Sequence, residues 1–515
     1  MRDTSGRRRL FCGRLALLGA MALSVTAPAA HAQITVPDKN APADTHSART
    51  ARKPARAADD AVMDLFKSTA KAGEQDEAVQ SAEQSAWLTR PLQPSTFVVP
   101  GSSAYQTAHL LGQWGGLLPL LERNGIHPFV NYLMEAAGNP SGGKVQTGAY
   151  AHQVTLAADI DWFQIAHVAG LVTHIEVVNR EGNNLSSAMG NLFDVQEIWG
   201  GGGDVARLVY FTMEQNLFAG RVNIMAGRML AGTDFAASDL YCNFQNLGLC
   251  PNPESLFLNS RTSNGGFQIF PYSAWGGRIR VRPTRLVYVQ GGAYEEQNST
   301  LIGASGWDWS THQSTGVLFP FEIGFTPGAG AHGLPGHYKI GGMFDTASHP
   351  DMLYQNEMLA GVNPIAVPKM HRGQTQIYAL ADQMVHRFGP GDTSGLVVLG
   401  GYVWSDAATA EITRFGFAGL SSIGMIPGRK MDQVSFLALY GEVNPRMKAS
   451  DALERKAGNT AVAPQTNEID FEADYAATVL PGTKLMPNVQ YIVRPGAVST
   501  YHNALVFGMR TSVLF

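Results

Sequence analysis

From about Gln113 to Phe515, apolar and polar side chains alternate in short runs broken by glycine, proline and asparagine. In WGGRIRVRP (275–283), Arg278, Arg280 and Arg282 fall on one face and Ile279 and Val281 on the other. In GVLFPFEIGFTP (316–327), Val317, Phe319, Phe321, Ile323 and Phe325 oppose Leu318, Pro320, Glu322 and Gly324. HYKIGGMFDT sets Tyr338, Ile340 and Phe344 against Lys339 and Asp345, and IDFEADYAA sets Ile469, Phe471, Ala473 and Tyr475 against Asp470, Glu472 and Asp474. A period of two is that of a β-strand, whose successive side chains point to opposite faces. Three carboxylates in a row on one strand face call for water, which an aqueous lumen or a solvent-facing sheet supplies. Repeated without a clear amphipathic helix between, the pattern predicts an all-β fold closed into an antiparallel barrel. The final run, NALVFGMRTSVLF, places Leu505, Phe507, Met509, Thr511, Val513 and Phe515 on one face and Gly508, Arg510 and Ser512 on the other, as a closing strand should.

The N-terminus sets the compartment. Arg2, Arg7, Arg8, Arg9 and Arg14 precede an apolar stretch, Leu15 to Ala27, which is too short to span a bilayer. Ala30-His31-Ala32 follows, and the three parts together read as a cleaved secretory signal over residues 1–32. Without it the chain keeps 33 basic and 41 acidic residues, a net charge of −8, which argues against a nucleic-acid partner. No later segment is apolar enough for a spanning helix, so a membrane-embedded form has to be a barrel. The 16% of charged residues is low against about 25% in soluble domains, and the mean hydropathy of −0.07 is far from that of a helical membrane protein. Alternating lipid-facing and lumen-facing residues average to such values. The expected location is the bacterial outer membrane.

Residues 33–100 differ from the rest. Gln33 to Asp60 is rich in Ala, Pro, Thr, Arg and Lys and reads as disordered, and Ala61 to Arg90 has helical composition. The stretch is a periplasmic extension, a plug or a linker. The barrel is assigned to 101–515, a length that accommodates sixteen to eighteen strands with their turns and loops. Cys12 leaves with the signal, and the remaining pair, Cys242 and Cys250, reads as a disulfide in an exported chain.

Several segments then resemble the carbohydrate-selective porins of the OprB family, in order along the chain. They are GQWGGLLPLLERNGIHPFVNYLMEAAGNPSGG (112–143), VVNREGNNLS (177–186), GNLFDVQEIWGG (190–201), NIMAGRMLAGTDFAASDLYCNFQNLGLCPNP (223–253), WGGRIRVRPT (275–284), PNVQYIVRPGA (487–497) and ALVFGMRTSVLF (504–515). The resemblance covers nearly all of 110–515 and leaves out the N-terminal extension. It implies a transmembrane barrel of 16 strands with inward-folded loops, passing glucose and related sugars passively.

A sugar-selective constriction needs groups that hydrogen-bond hydroxyls and flat surfaces that stack on sugar rings, bound weakly enough to allow exit. Arg278, Arg280 and Arg282 are the first candidates, because a guanidinium donates several bonds in a fixed fork. They serve sugars, or balance Asp470, Glu472 and Asp474 across the lumen. Arg180 and Arg228 lie in family-like segments near strand–loop junctions. Asp234, next to Phe235, opens the loop that carries the cysteine pair, and Glu135, Glu176 and Glu214 are lumen candidates by alternation. Trp307 and Trp309, flanking Asp308, either stack a sugar or belong to an interfacial aromatic girdle. Asp159 and Asp161 have the spacing of paired carboxylates, which reads better as two lumen-facing strand positions than as a glycosidase pair. No GxSxG, HExxH, P-loop or CxxC motif occurs, so no enzyme activity, catalytic residue, cofactor or metal is expected. The expected partners are sugars, outer-membrane lipid and the barrel assembly machinery acting through Phe515, with a homo-oligomer left open. A general or anion-preferring porin and a plugged structural barrel remain the rival readings.

Overall fold

The computed structural model describes residues 109–198, 206–238, 240–250, 252–258, 267–268, 270–297, 306–307, 309–312, 314–328, 333–353, 369–389, 394–456, 458–459 and 462–515. The signal at 1–32 and the extension at 33–100 lie outside the described residues. Sixteen strands close into one antiparallel barrel: β1 (Ile126–Ser141), β2 (Gly148–Asp161), β3 (Leu171–Gly182), β4 (Arg207–Leu217), β5 (Val222–Met229), β6 (Ala274–Val281), β7 (Val287–Gln297), β8 (Ser314–Phe325), β9 (Gly336–Asp345), β12 (Thr375–Arg387), β13 (Gly395–Ser405), β14 (Ile412–Ile423), β15 (Gln433–Val443), β16 (Asn467–Leu480), β17 (Thr483–Val493) and β18 (Ala504–Leu514). A separate two-stranded sheet, β10 (Ser348–Pro350) with β11 (Met370–Arg372), sits in the connection from β9 to β12. Each barrel strand pairs with its neighbour in order, and β18 closes on β1 with Tyr132 opposite Val513 and Glu135 opposite Arg510.

The alternation predicted from the residues is the wall of this barrel. On β8, Phe319, Phe321, Ile323 and Phe325 are exposed on the outside, while Leu318, Pro320, Glu322 and Gly324 are buried inside. On β6, Ile279 and Val281 face out and Arg278 and Arg280 face in. Lysine at the bilayer midplane of such a wall costs about 2–4 kcal/mol. Phe321→Lys is therefore expected to lower unfolding stability by about that amount in lipid while leaving channel conductance unchanged, measured by urea titration and in planar bilayers.

Strand formation begins later than the alternation suggests. Residues Trp114–Gly116 form a 3-10 turn and Leu117–Arg123 a short α-helix, with Leu118 buried. Leu117, Leu118, Leu120 and Leu121 recur at helical rather than strand spacing.

Connections at the two ends differ in length. One end carries short turns, such as 218–221 and 481–482, and the other carries 183–206, 230–273, 346–374 and 444–466. Short turns face the periplasm and long loops face outward in this kind of barrel. Two of the long connections turn back into the barrel. Phe193 of the first packs edge-on against Phe415 of β14 at 5.2 Å, and Tyr241 of the second against Phe417 at 5.3 Å. The wall is shaped to receive them. A Cβ at Gly441 on β15 would lie 2.2 Å from the Phe193 ring, and one at Gly248 in the loop would lie 2.2 Å from Leu439. The inner faces of β13–β15 accordingly carry Val397, Leu399, Phe415, Phe417, Leu437 and Leu439, all buried against the loops. An apolar sector of the inner wall thus seats the inward loops.

Candidate pore constriction

An irregular loop inside a barrel must find partners for its backbone N–H groups. Inward-facing carboxylates of the wall supply them. Glu472 accepts from the N–H groups of Gln245 (2.7 Å) and Asn246 (2.8 Å). Glu468 accepts from Leu192 (2.8 Å), Phe193 (3.0 Å) and Gly496. Glu135 accepts from Ile198 (2.9 Å), and Glu322 from Ala236 (2.8 Å) as well as the hydroxyls of Tyr288 (2.6 Å) and Tyr378 (2.9 Å). Asp382 accepts from the Ser238 hydroxyl at 3.1 Å. Hydrogen bonds to a charged acceptor are about twice as strong as neutral ones, so these contacts fix the loops in place. Asp470 and Glu472 thus hold the loop instead of facing open water, and Asp474 is buried beside them. The acidic row read as needing an aqueous lumen is met largely by protein.

Arg510 of β18 joins three elements. It pairs with Glu197 of the first inward loop at 2.5 Å and Glu135 of β1 at 3.7 Å. It also donates to the carbonyls of Cys242 (2.9 Å) and Phe244 (3.0 Å) in the second. Cys242 and Cys250 form the disulfide read from the sequence, fully inside the barrel. Glu197 converges on the two sulfurs, but sulfurs bonded to each other offer no thiolate pair for a metal.

The candidate arginines differ in the partners that hold them. Arg278 binds Asp234 of the second loop and Asn223 of β5, with Glu214 of β4 at 4.0 Å. Arg280 donates to Gln290 at 2.6 Å, lies 3.7 Å from Asp234 and stands over the Tyr288 ring at 5.4 Å. Arg282, half-buried at the short-turn end, stands 5.5 Å from the centre of the same ring. The carboxylates beside Arg278 and Arg280 are therefore Asp234 and Glu214, and Asp470 and Glu472 serve the loop instead. Arg180 donates to Gln153 at 2.5 Å and lies over the Phe270 ring at 4.6 Å. Glu135, Glu176 and Glu214 are all inward and buried.

Arg228, at the end of β5 opposite Phe211 and Trp275, is 4% exposed and donates to the Ser273 carbonyl at 2.8 Å, so the chain itself holds it in place. Trp309 lies tilted against the exposed Phe211 at 5.3 Å and edge-on to Trp275 at 5.9 Å, a cluster of aromatic rings of the kind that forms an interfacial belt. Trp307, largely exposed, donates to the carbonyl of Ala206 at 2.9 Å. Asp161 caps the helix Trp162–Ala166 through Phe163 N–H at 2.9 Å, so only Asp159 of that pair is buried in the wall. His174, Glu322 and Glu468 were not singled out as site residues, although each lies on the buried face of its strand by alternation.

At the long-loop end, Asp351 accepts two hydrogen bonds of 2.7 Å from Arg446 and one of 2.7 Å from His371, tying connection 346–374 to the helix Pro445–Lys456. Burial alone would raise its carboxyl, but hydrogen bonds from Arg446, His371 and the Leu353 N–H outweigh burial and hold it below the ordinary carboxylate range. A depressed carboxyl adds stability above its unfolded value, and that contribution is lost as pH falls through the folded one. Amide protection factors at 346–353 and 445–456, corrected for the intrinsic pH dependence of exchange, should hold from neutral pH down to about 5 and fall as the pH drops below about 4.

A sequence model described as "Carbohydrate-selective porin, OprB family" matches residues 145–515. Porin B of Pseudomonas aeruginosa is 29% identical over 425 residues, covering 79% of this chain and 91% of that protein. The putative porin QuiX of Acinetobacter baylyi is 26% identical over 430 residues, covering 79% and 93%. The high-pH structure of Pseudomonas putida OprB matches with a TM-score of 0.72 at 28% identity, over 82% of this chain and 100% of that one. The chain belongs to the OprB family of carbohydrate-selective porins, and is a channel of the bacterial outer membrane for sugars, not an enzyme.

Proposed function

We propose that the channel passes glucose and similar neutral monosaccharides down their gradient into the periplasm, and that the inward loop opened by Asp234 forms its constriction. The observation that carries this reading is the contact of that loop, through Asp234, with Arg278 and Arg280, two guanidiniums of a row on the inner wall that Arg282 continues beside Tyr288. Asp234, Glu214 and Glu322 stand among them, so the row is close to charge-balanced. A balanced row of donors and acceptors suits a hydroxyl-rich neutral solute, and an uncompensated one would suit an anion. The Tyr288 ring, flanked by Arg280 and Arg282, adds a flat surface to the same wall. Arg180, Glu135 and Glu176 belong to the same inner surface and are secondary contacts in this reading.

The test compares glucose with gluconate, which is similar in size and carries a charge. Glucose is expected to reduce single-channel current in KCl at millimolar concentration, with gluconate much weaker. Equal effects of the two solutes, or stronger block by gluconate, would favour an anion-preferring porin.

A further inference from the structure

The inner wall from β2 to β6 carries a chain of buried ionic side chains that leads to Asp234. Asp159 and His174 face each other directly across β2 and β3, and Asp159 Oδ1 lies 2.6 Å from His174 Nδ1. The other ring nitrogen, Nε2, lies 3.3 Å from Glu214 of β4. Glu214 accepts from Asn223 at 2.6 Å, and both Glu214 and Asn223 contact Arg278, which holds Asp234. Asp159, His174, Glu214 and Arg278 are all at most 3% exposed, so none exchanges its partner for water.

Signs alternate along this chain. Both ring nitrogens of His174 face carboxylate oxygens, and each oxygen needs an N–H, so a ring with both protons serves the two together. His174 then stands between two carboxylates, Glu214 between His174 and Arg278, and Arg278 between Glu214 and Asp234. In a poorly screened interior, removing one member leaves its neighbours uncompensated, and they move.

We infer that His174 is a positioning residue for the constriction: braced by Asp159, it fixes Glu214, through which Arg278 sets the place of Asp234 at the mouth of the inward loop. This rests on the reading of that loop as the constriction. His174 itself lies on β3, out of reach of a sugar at Asp234, and acts only through the chain.

The experiment uses the full-length channel in planar bilayers, with glucose block and KCl conductance read separately in His174→Gln, Glu214→Gln and the double variant. His174→Gln should raise the half-blocking glucose concentration roughly threefold or more, within the range of coupling between contacting residues. In the Glu214→Gln background the same change should do little, because the link it acts through is gone. Additive effects, or a folded His174→Gln channel with unchanged block, would overturn the inference. If His174→Gln does not assemble, Asp159→Asn removes the brace from the far side and is read in the same way. Asp234→Asn separates the two readings. An altered block in Asp234→Asn beside an unaltered one in His174→Gln refutes the role of His174 alone. An unaltered block in Asp234→Asn refutes the constriction and the inference with it.

Discussion

Replacing Arg510 with methionine should produce the largest loss of stability of any single substitution in the inner wall. The guanidinium neutralises Glu197 at 2.5 Å and lies 3.7 Å from Glu135, while also donating to two carbonyls of the disulfide loop. Methionine keeps much of the bulk and removes the charge and the donors. Both carboxylates are fully buried, and breaking a buried pair by removing one partner costs about 3–5 kcal/mol. The urea midpoint of the refolded barrel should fall accordingly. Because Arg510 ties both inward loops to the strand that closes the barrel, open-channel noise and mean conductance should rise in the fraction that still folds. A conservative Arg510→Lys restores the charge without the fork and should recover only part of the stability.

The second large effect is expected at Arg278. Arg278→Met leaves Asp234 and Glu214 without their shared cation and frees the mouth of the inward loop. The half-blocking glucose concentration should rise by about tenfold, equivalent to ~1.4 kcal/mol of lost interaction. Reversal potentials in a KCl gradient should shift towards cation preference, since one positive charge disappears from a balanced row. Arg414→Met is the matching control. That side chain is largely exposed on β14, beside Glu442, so the same loss of charge should leave sugar block and ion preference as they are.

The wall was legible because lipid and lumen impose opposite demands on alternate residues. Phe319, Phe321, Ile323 and Phe325 announce an outer face whatever lies inside, and so do Ile279 and Val281 between their arginines. The strand count of sixteen and the inward loops came from the family resemblance, since spacing alone admits sixteen to eighteen. Strands β13–β15 hid their role because both of their faces are apolar: Phe415 and Phe417 meet the loop, and Leu420 and Phe436 lie exposed on the outside. The partners of the acidic row were equally hidden. Glu472 binds the backbone of Gln245 and Asn246, more than two hundred positions away, and no local pattern encodes such a pairing.

The central claim is that the inward loop and its charge-balanced row make this barrel a channel that prefers neutral sugars. Single-channel recording of the refolded mature protein, titrated with glucose and with gluconate, tests it most directly. The account predicts conducting channels closed by glucose at millimolar concentration and far less by gluconate. Conducting channels indifferent to glucose, or no conducting channels in fully folded protein, would contradict it.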